Sequence, residues 1–313
     1  MKKHPKWIIT RREFLKVSSS VITGLSIDPY LAFGREKKAK IRTTFGIVSD
    51  SHYADTDHRG SRYFRETIPK MEECVALMNR LKVDFLIELG DFKDQDRPPN
   101  KQNTLFCLET IEGVFQQFSG PRYHVLGNHD LDSLSKKEFL KAVDNTGIPP
   151  HSSYYAFDLK DMHFIVLDAN FKGDGSSYEN GNFEWRDANI PTRQIEWLRA
   201  DLKSTPKPVI AFVHQMLDCE GDFCVNNAKE VRSILKRSGK TLAVFQGHNH
   251  RGHYSRLAGI HYYTLKAMVE GSGSHNNAYA VVEIHEDGTI SITGYRKAIS
   301  KQLSQSIPPS SLL

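Results

Sequence analysis

Metal-binding side chains stand at five separate points along the 313-residue sequence, each at the end of a short run of strand-forming residues. The motifs are Asp50-x-His52, Gly90-Asp91, Gly127-Asn128-His129-Asp130, His214 and Gly247-His248-Asn249-His250. Carboxylate and amide oxygens and neutral imidazole nitrogens all bind divalent first-row cations. Because strand carboxyl ends gather along one edge of an open α/β sheet, these donors are expected to converge. Seven donors in one cleft suit two divalent cations better than one.

Each motif has an ordinary alternative when it is taken alone. Asp50 or Asp91 by itself could simply form a turn, since short polar side chains often bond to the backbone there. The occurrence of five such motifs, each after a strand-like run, favours a metal site over five unrelated turns. Glycines precede Asp91, Asn128 and His248, as expected where a strand turns sharply beside a cation.

The elements that must position these motifs alternate between strand-like and helix-like patterns from residue 41 onward, which predicts an α/β layered fold. Strands are predicted at 41–48, 84–89, 123–126, 154–159, 163–167, 208–213, 241–246, 260–267, 278–285 and 289–295. Helices are predicted at 66–81, 103–118, 192–203 and 227–238. Ser135 and Glu138 match a capping box that begins a further helix. Residues 173–190 form a predicted long surface loop, a kind of segment that often determines selectivity.

Composition indicates one ordinary folded domain at 41–300, followed by a loose tail at 301–313. Hydrophobic residues make up 39% and charged residues 25% of the chain, which argues against disorder and against a membrane bundle. The net charge is +5, but residues 1–40 hold ten Lys/Arg and three Asp/Glu, which leaves 32 basic and 34 acidic residues in the body. The body therefore gives no electrostatic reason to bind nucleic acid.

The first 40 residues are interpreted as an export leader and basic linker. Thr10 to Lys16, with the pair Arg11-Arg12, resembles the twin-arginine signal, and a Ser-rich apolar stretch follows from Val17 to Ile27. This resemblance implies the twin-arginine translocase as a partner and a periplasmic or extracellular location without a membrane span. Cleavage is expected after Gly34. The alternative is an amphipathic helix with a chance arginine pair.

The four cysteines are too few to build a disulfide scaffold in a chain of this size. Cys74 and Cys107 fall on apolar faces of predicted helices and are predicted to be core thiols. Cys219 and Cys224 lie in one polar loop, where either a bridge or two free thiols is compatible with the sequence.

Taken in order, the five motifs resemble the calcineurin-like metallophosphoesterase superfamily over about residues 45–270. The resemblance implies a four-layer αββα sandwich of two mixed β-sheets and two divalent cations, with Mn favoured over Fe or Zn. One metal would be held by Asp50, His52, Asp91 and His250. The other would be held by Asp91, Asn128, His214 and His248, with Asp91 as the bridge. Val213 departs from the glycine that usually precedes the fourth motif.

A narrower resemblance points to one branch of that superfamily. Tyr53-Ala54-Asp55, Arg62 to Arg65, and Gly259 to Leu265 followed by Glu270 are similar to segments of the manganese-dependent ADP-ribose/CDP-alcohol diphosphatases. That branch cleaves nucleoside diphosphate compounds, so this resemblance implies a small phosphorylated substrate. The export leader distinguishes this chain from the cytosolic members of the branch.

The expected reaction is hydrolysis of phosphate mono- or diesters, or of nucleoside-diphosphate-type pyrophosphates, by a hydroxide shared between the two cations. No protein nucleophile is required. Because Asn128 serves as the ligand, His129 is free to stabilise or protonate the leaving oxygen. Asp94 resembles the second carboxylate of the family motif and is expected to orient His129, with Asp130 as the rival for that role.

Other basic residues have two interpretations each. Arg62 and Arg65, together with Arg59, could hold a second phosphate, or they could be a solvated helix approach. His124, His163 and His261 lie within apolar strands and are predicted to be hydrogen-bonded core residues. His253 is predicted to support the site from outside or to lie at the surface.

Two further functions are compatible with the motifs. A nuclease would use the same pair of metals on DNA or RNA, but the near-neutral body argues against it. A non-catalytic metal- or phosphate-binding protein would be expected to lack a ligand or His129, and none of them is missing.

Overall fold

The structure, a computed structural model, describes residues 39–304, which fall in one compact unit. The leader at 1–38 and residues 305–313 lie outside the described part, so the export signal stays a prediction. The elements within 39–304 are β1 (Ile41–Val48), α1 (Thr67–Leu81), β2 (Phe85–Glu88), α2 (Lys101–Phe115), β3 (Arg122–His124), α3 (Lys136–Ala142), β4 (Tyr155–Leu159), β5 (Met162–Val166), α4 (Thr192–Ser204), β6 (Val209–Val213), α5 (Ala228–Ser238), β7 (Thr241–Gln246), β8 (His253–Leu257), β9 (Ile260–Thr264), β10 (Ala278–His285), β11 (Ile290–Arg296) and β12 (Lys301–Leu303).

The strands form two six-stranded sheets. Sheet A has the order β12-β11-β10-β1-β2-β3, and sheet B has the order β4-β5-β6-β7-β9-β8. In sheet A, β1 runs parallel to β2 and antiparallel to β10. In sheet B, β5, β6, β7 and β9 run parallel, whereas β4 and β8 are antiparallel edge strands. Both sheets are therefore mixed, as predicted.

Apolar side chains fill three spaces between the layers. The central cluster joins inward-facing residues of both sheets, such as Phe45 of sheet A and Phe212 of sheet B. A second cluster packs α1, α2 and α3 on the outside of sheet A, and a third packs α4 and α5 on the outside of sheet B. The predicted αββα sandwich is confirmed.

Phe45 lies at the centre of the space between the sheets, so its removal should be costly. Its ring stacks on Phe85 at 4.8 Å and meets the edges of Phe212 at 5.7 Å and Phe245 at 5.6 Å. Phe45→Ala is expected to lower the free energy of unfolding by about 3–5 kcal/mol, because it loses buried area and leaves a cavity. Urea unfolding measures the effect, with Phe106→Ala as the control, since Phe106 is 62% exposed. A loss of similar size in both variants would contradict this account of the core.

The structure departs from the sequence expectations at two edge strands. The expectation of a loose tail from residue 301 is wrong for 301–303, because β12 pairs with β11 between Ile290 and Ile292. The edge strand β8 was not predicted. It pairs with a strand on one side only, and its side chains are largely polar, so its sequence lacks the apolar pattern of a buried strand. Among residues 39–304, no helix is both long and apolar enough to cross a membrane.

The cysteines divide into one bridge and two thiols. The structure joins Cys219 and Cys224 in a disulfide, which selects one of the two states that the sequence left open. Cys74 and Cys107 are buried thiols, as predicted. The bridge closes a short loop that follows β6 and the His214 motif.

Candidate metal centre

Four of the expected ligands have a left-handed backbone conformation, which residues other than glycine rarely adopt. The φ angles are 52° at Asp50, 46° at His52, 56° at Asp91 and 66° at His248. Each left-handed residue costs about 1–2 kcal/mol, so the surrounding structure must hold these turns in place. Gly127 allows the closest approach, because a Cβ atom there would lie 2.2 Å from the backbone nitrogen of Asp91.

The first group of donors follows β1 and β7. His52 Nε2 lies 3.1 Å from His250 Nε2, and His250 Nε2 lies 3.5 Å from Asp50 Oδ1. Asp50 and His52 are fully buried. Two imidazole nitrogens and a carboxylate oxygen thus face one another at the edges of two different sheets, where one cation fits between them.

The second group follows β2, β3, β6 and β7. His214 Nε2 lies 3.1 Å from Asp91 Oδ2, and Asp91, His214 and His248 form one metal-capable cluster. Within the described chain, Asn128 Oδ1 and His248 Nε2 are buried without a hydrogen-bond partner. Burying such atoms unpaired is unfavourable, and a bound cation would satisfy both. The donor set therefore fits a second divalent ion.

Asp91 connects the two groups. The Oδ2 atom that approaches His214 also lies 3.5 Å from His52 Nε2. The carboxylate of Asp91 is 1% exposed, so its negative charge is directed at the two donor groups rather than at solvent. This is the position that a bridging ligand requires.

Outer contacts fix the tautomers of two histidines. His214 Nδ1 lies 2.8 Å from the carbonyl oxygen of Leu89, and His250 Nδ1 lies 2.6 Å from Glu270 Oε1. An acceptor at Nδ1 keeps the proton there and leaves the Nε2 lone pair for the cation. His52 Nδ1 faces the carboxylate of Asp94 at 3.3 Å.

Electrostatics at the site keeps His52 and His248 neutral and favours positive charge beside Asp91. Burial lowers the pKa of His52 to about 4 and that of His248 well below its usual value. Burial also opposes the charged form of His214, but the carboxylate of Asp91 outweighs it and raises the pKa of His214 to about 10. The field around Asp91 thus attracts positive charge, whether a proton or a cation carries it.

Glu270 is expected to set the strength of metal binding through His250. The bond to His250 lowers the pKa of Glu270 to about 2, so the carboxylate is ionised at neutral pH. Glu270→Gln is expected to weaken Mn²⁺ binding by about 10–100-fold, as measured by calorimetric titration. Glu286→Gln is the control, because that side chain is 56% exposed and pairs with Lys40. Unchanged affinity in Glu270→Gln would contradict the orienting role.

His129 is held beside the donors by a residue that the sequence analysis missed. Its Nδ1 lies 2.7 Å from Asp132 Oδ2 but 3.9 Å from Asp94 Oδ2. Asp94 is closer to His52, so the expectation that Asp94 orients His129 is wrong in its main contact. The pairing could not be predicted from the sequence. It depends on the helical turn at 129–131, which places the side chain of Asp132 next to the ring of His129.

Asp130 does not orient His129 either. Its carboxylate accepts hydrogen bonds from the backbone nitrogens of Gly127 at 2.8 Å, Asp91 at 3.0 Å and Phe92 at 2.9 Å. These bonds tie the second and third motifs together. Asp130 therefore supports the backbone of the site.

Of the two predicted arginines, the structure places Arg62 at the site but not Arg65. Arg62 lies 4.0 Å from Asp94 Oδ2, and Arg59 lies 3.4 Å from Asp94 Oδ1, each with about a third of its side chain exposed. Arg65 does not join them, because it donates to two exposed aspartates, Asp55 at 2.5 Å and Asp57 at 2.6 Å. Arg59 therefore takes the place that the sequence analysis gave to Arg65.

None of the four remaining candidate histidines belongs to a metal-capable group within residues 39–304. The contacts are His124 with Glu112 at 3.1 Å, His163 with Asp158 at 2.6 Å and Asp201 at 2.8 Å, His261 with Tyr254 at 2.9 Å, and His253 with Asp218 at 3.6 Å. His163 and His261 are hydrogen-bonded, as predicted, whereas His124 has only ion-pair contacts with carboxylates. His253 is 45% exposed.

Comparison with known proteins agrees with this geometry. The manganese-dependent ADP-ribose/CDP-alcohol diphosphatase of Oryza sativa subsp. japonica is 27% identical over 290 residues, covering 78% of this chain and 88% of the relative. The diphosphatase of the same name from Arabidopsis thaliana is 23% identical over 295 residues, covering 80% and 93%.

Solved structures show the same fold. A dimetal phosphatase from Danio rerio superposes with a TM-score of 0.72 at 20% identity, covering 85% of this chain and 100% of that one. A purple acid phosphatase from Lupinus luteus superposes with a TM-score of 0.57 at 12% identity, covering 83% and 52%. Residues 43–252 match the family described as calcineurin-like phosphoesterase. The chain belongs to this family of metal-dependent phosphoric ester hydrolases.

Proposed function

We propose that this chain hydrolyses the diphosphate bond of nucleoside diphosphate compounds of the ADP-ribose or CDP-alcohol type, with Mn²⁺ as the preferred cation. The observation that carries the proposal is the pair of donor groups that share Asp91, with two arginines, each about one third exposed, beside them. The names of the relatives from Oryza sativa and Arabidopsis thaliana support the choice of substrate and metal.

The seven donors would hold the two cations. Asp50, His52, Asp91 and His250 would hold the first cation, and Asp91, Asn128, His214 and His248 would hold the second. When bound, divalent cations neutralise phosphoryl oxygens and lower the pKa of water, so that attack proceeds at neutral pH.

His129 would act on the leaving group. Asp132 accepts from Nδ1, which leaves Nε2 free to face the substrate. Burial opposes the charged ring, but Asp132 and Asp91 outweigh it and raise the pKa of His129. The ring can therefore hold a proton at neutral pH and give it to the leaving oxygen as the phosphorus–oxygen bond breaks.

Arg59 and Arg62 would hold the phosphate that leaves. A diphosphate carries a second anionic group next to the reacting one, and guanidinium groups bind such oxygens with paired hydrogen bonds. Arg62→Ala is expected to raise KM for a diphosphate by about tenfold, since a hydrogen bond to a charged group contributes roughly 1.5–3 kcal/mol. Steady-state kinetics measures this, with exposed Arg237→Ala as the control. An equal change in KM for p-nitrophenyl phosphate would contradict the assignment.

A substrate panel tests the proposal directly. The full-length chain with Mn²⁺ is incubated with ADP-ribose, a CDP-alcohol, p-nitrophenyl phosphate and a labelled oligonucleotide, and products are separated by chromatography. Release of AMP and CMP at the highest kcat/KM is the expected result. Turnover of the aryl ester alone would restrict the function to a general phosphoesterase, and cleavage of the oligonucleotide alone would indicate a nuclease.

We also propose that residues 1–40 direct export through the twin-arginine translocase to the periplasm or the extracellular space. The support is the Arg11-Arg12 motif and the short apolar stretch behind it. A reporter fused to residues 1–40 should be exported, and changing both arginines to lysine should stop export. Unaltered export of the double variant would refute the proposal.

A further inference from the structure

Two aromatic side chains that metal ligation does not use lie against the ligand His248. The ring of Trp185 is 5.4 Å from the ring of His248 at 64°, and the ring of Phe223 is 5.7 Å from it at 68°. Trp185 and Phe223 are themselves 5.7 Å apart. The guanidinium of Arg186 covers one face of Trp185 at 4.4 Å, so Phe223 supplies most of the exposed aromatic surface beside the second donor group.

The two rings come from different loops that are tied together. Trp185 lies in the segment between β5 and α4, and Phe223 lies in the segment between β6 and α5. The backbone nitrogen of Asn226 donates to the carbonyl oxygen of Ala188 at 2.8 Å, and Arg186 forms an ion pair with Asp222 at 3.2 Å. The relative position of the rings is therefore built into the fold.

The disulfide fixes the loop that carries Phe223. Cys219 and Cys224 close a loop of six residues around it. Cys224 N donates to Gly221 O at 3.0 Å within the loop, and Met216 N donates to Phe223 O at 3.0 Å from outside it. The bridge adds a covalent restraint to these backbone bonds and to the Arg186–Asp222 ion pair.

Phe223 is 44% exposed although it lies in an ordered loop, and Trp185 is also partly exposed. A cleft of about 220 Å³ lies between the disulfide loop and the turn after His248, with Phe223 and Asn249 in its lining. Pockets for whole ligands are usually about 300–1,000 Å³, so this cleft suits one part of a larger substrate. Exposed aromatic faces bind planar rings by stacking, largely regardless of base identity.

We propose that Phe223, backed by Trp185, and the turn at Asn249 form a clamp for the planar base of the substrate, and that the Cys219–Cys224 disulfide holds Phe223 in the clamp. The nucleoside assignment rests on the proposed function. The clamp explains why aromatic surface stays exposed beside a polar metal centre. It also makes affinity for base-bearing substrates depend on the oxidised state of the two cysteines.

Fluorescence titration tests the clamp without requiring hydrolysis. The full-length chain with Mn²⁺ is titrated with AMP and with ribose 5-phosphate, which share the phosphate and differ in the base. AMP is expected to quench tryptophan emission and to bind about tenfold more tightly than ribose 5-phosphate, with Phe223→Ala removing most of that difference. Phe106→Ala is the control, because Phe106 is an exposed phenylalanine on α2. Equal affinities for the two probes, or unchanged AMP binding in Phe223→Ala, would overturn the clamp.

The disulfide is tested with the Cys219→Ser/Cys224→Ser double variant. A thiol titration of the unfolded wild-type chain should find only Cys74 and Cys107. The double variant is expected to lose about three- to tenfold in AMP affinity while its affinity for ribose 5-phosphate stays unchanged. Thermal unfolding confirms that it is folded at the assay temperature. AMP affinity equal to that of the wild type would overturn the role of the bridge.

Kinetics separates this inference from the proposed function. ADP-ribose is compared with a diphosphate that carries ribose at both ends, and phosphate is counted after an added phosphomonoesterase. If the wild type cleaves neither compound, the proposed function fails, whereas the AMP titration still decides the clamp. If it cleaves both and Phe223→Ala leaves the ratio of the two KM values unchanged, the clamp fails and the proposed function stands.

Discussion

Asp91→Asn is expected to lower kcat/KM by about 10³-fold and to remove at least one metal ion from each chain. Oδ2 of Asp91 is within 3.5 Å of nitrogens in both donor groups, and an amide carries no charge with which to hold two cations together. A loss of several kcal/mol of charge stabilisation corresponds to about this factor. Activity with Mn²⁺ and metal analysis of the same sample measure the two effects.

Asparagine is the most informative replacement at this position, because it removes the charge of the side chain and keeps its shape. The backbone nitrogen of His129 donates to Asp91 Oδ1 at 2.7 Å, and an amide oxygen can accept the same bond. Asp161→Asn is the control, since Asp161 is exposed and pairs with Arg42. Two metals per chain together with kcat within tenfold of the wild type would show that Asp91 does not bridge.

His129→Ala is expected to lower kcat by about 10²–10³-fold with the metal content unchanged, which is the usual range for loss of a general acid. The loss should depend on the leaving group. Alkoxide leaving groups need a proton, whereas p-nitrophenolate and phosphate monoesters depart readily without one, since the second pKa of a phosphate monoester is about 6. The decrease for p-nitrophenyl phosphate should therefore be much smaller than the decrease for an alkyl phosphate such as glycerol 3-phosphate.

Two further variants complete this test of His129. Asp132→Asn should show the same dependence on the leaving group with a smaller loss, because it weakens the contact at Nδ1 without removing the ring. His275→Ala should have no effect, since that side chain is exposed and outside the donor groups. An equal loss for both leaving groups in His129→Ala would exclude proton donation, and a loss of metal would make His129 a ligand.

Six of the seven predicted donors lie in metal-capable clusters in the structure, because their positions follow from the ends of strands. Predicted strands at 41–48 and 241–246 have the observed bounds of β1 and β7. A buried strand that leads directly into Asp-x-His or Gly-His-x-His must place those side chains at the edge of its sheet. The apolar pattern of the strand is therefore enough to predict their position. Predicted helices agree with the observed ones to within a few residues, because apolar periodicity defines their buried faces.

The contacts around the donors could not be predicted, because they depend on turns and loops whose conformation does not follow from the periodicity of the sequence. Asp132 was missed since its role depends on a single turn after His129. The clamp was missed because Trp185 and Phe223 lie 38 positions apart in two irregular loops. Arg65 was misplaced, since a surface arginine near a motif pairs equally well with nearby carboxylates.

Sheet A supplies Asp50, His52, Asp91 and Asn128, whereas sheet B supplies His214, His248 and His250. Each cation, held as proposed above, would therefore take ligands from both sheets and hold the two sheets together. By thermodynamic linkage, free metal at 100 times its Kd adds about 2.7 kcal/mol of folding stability for each site. The metal supply of the compartment in which the chain folds thus determines how durable the protein is, as well as whether it turns over substrate.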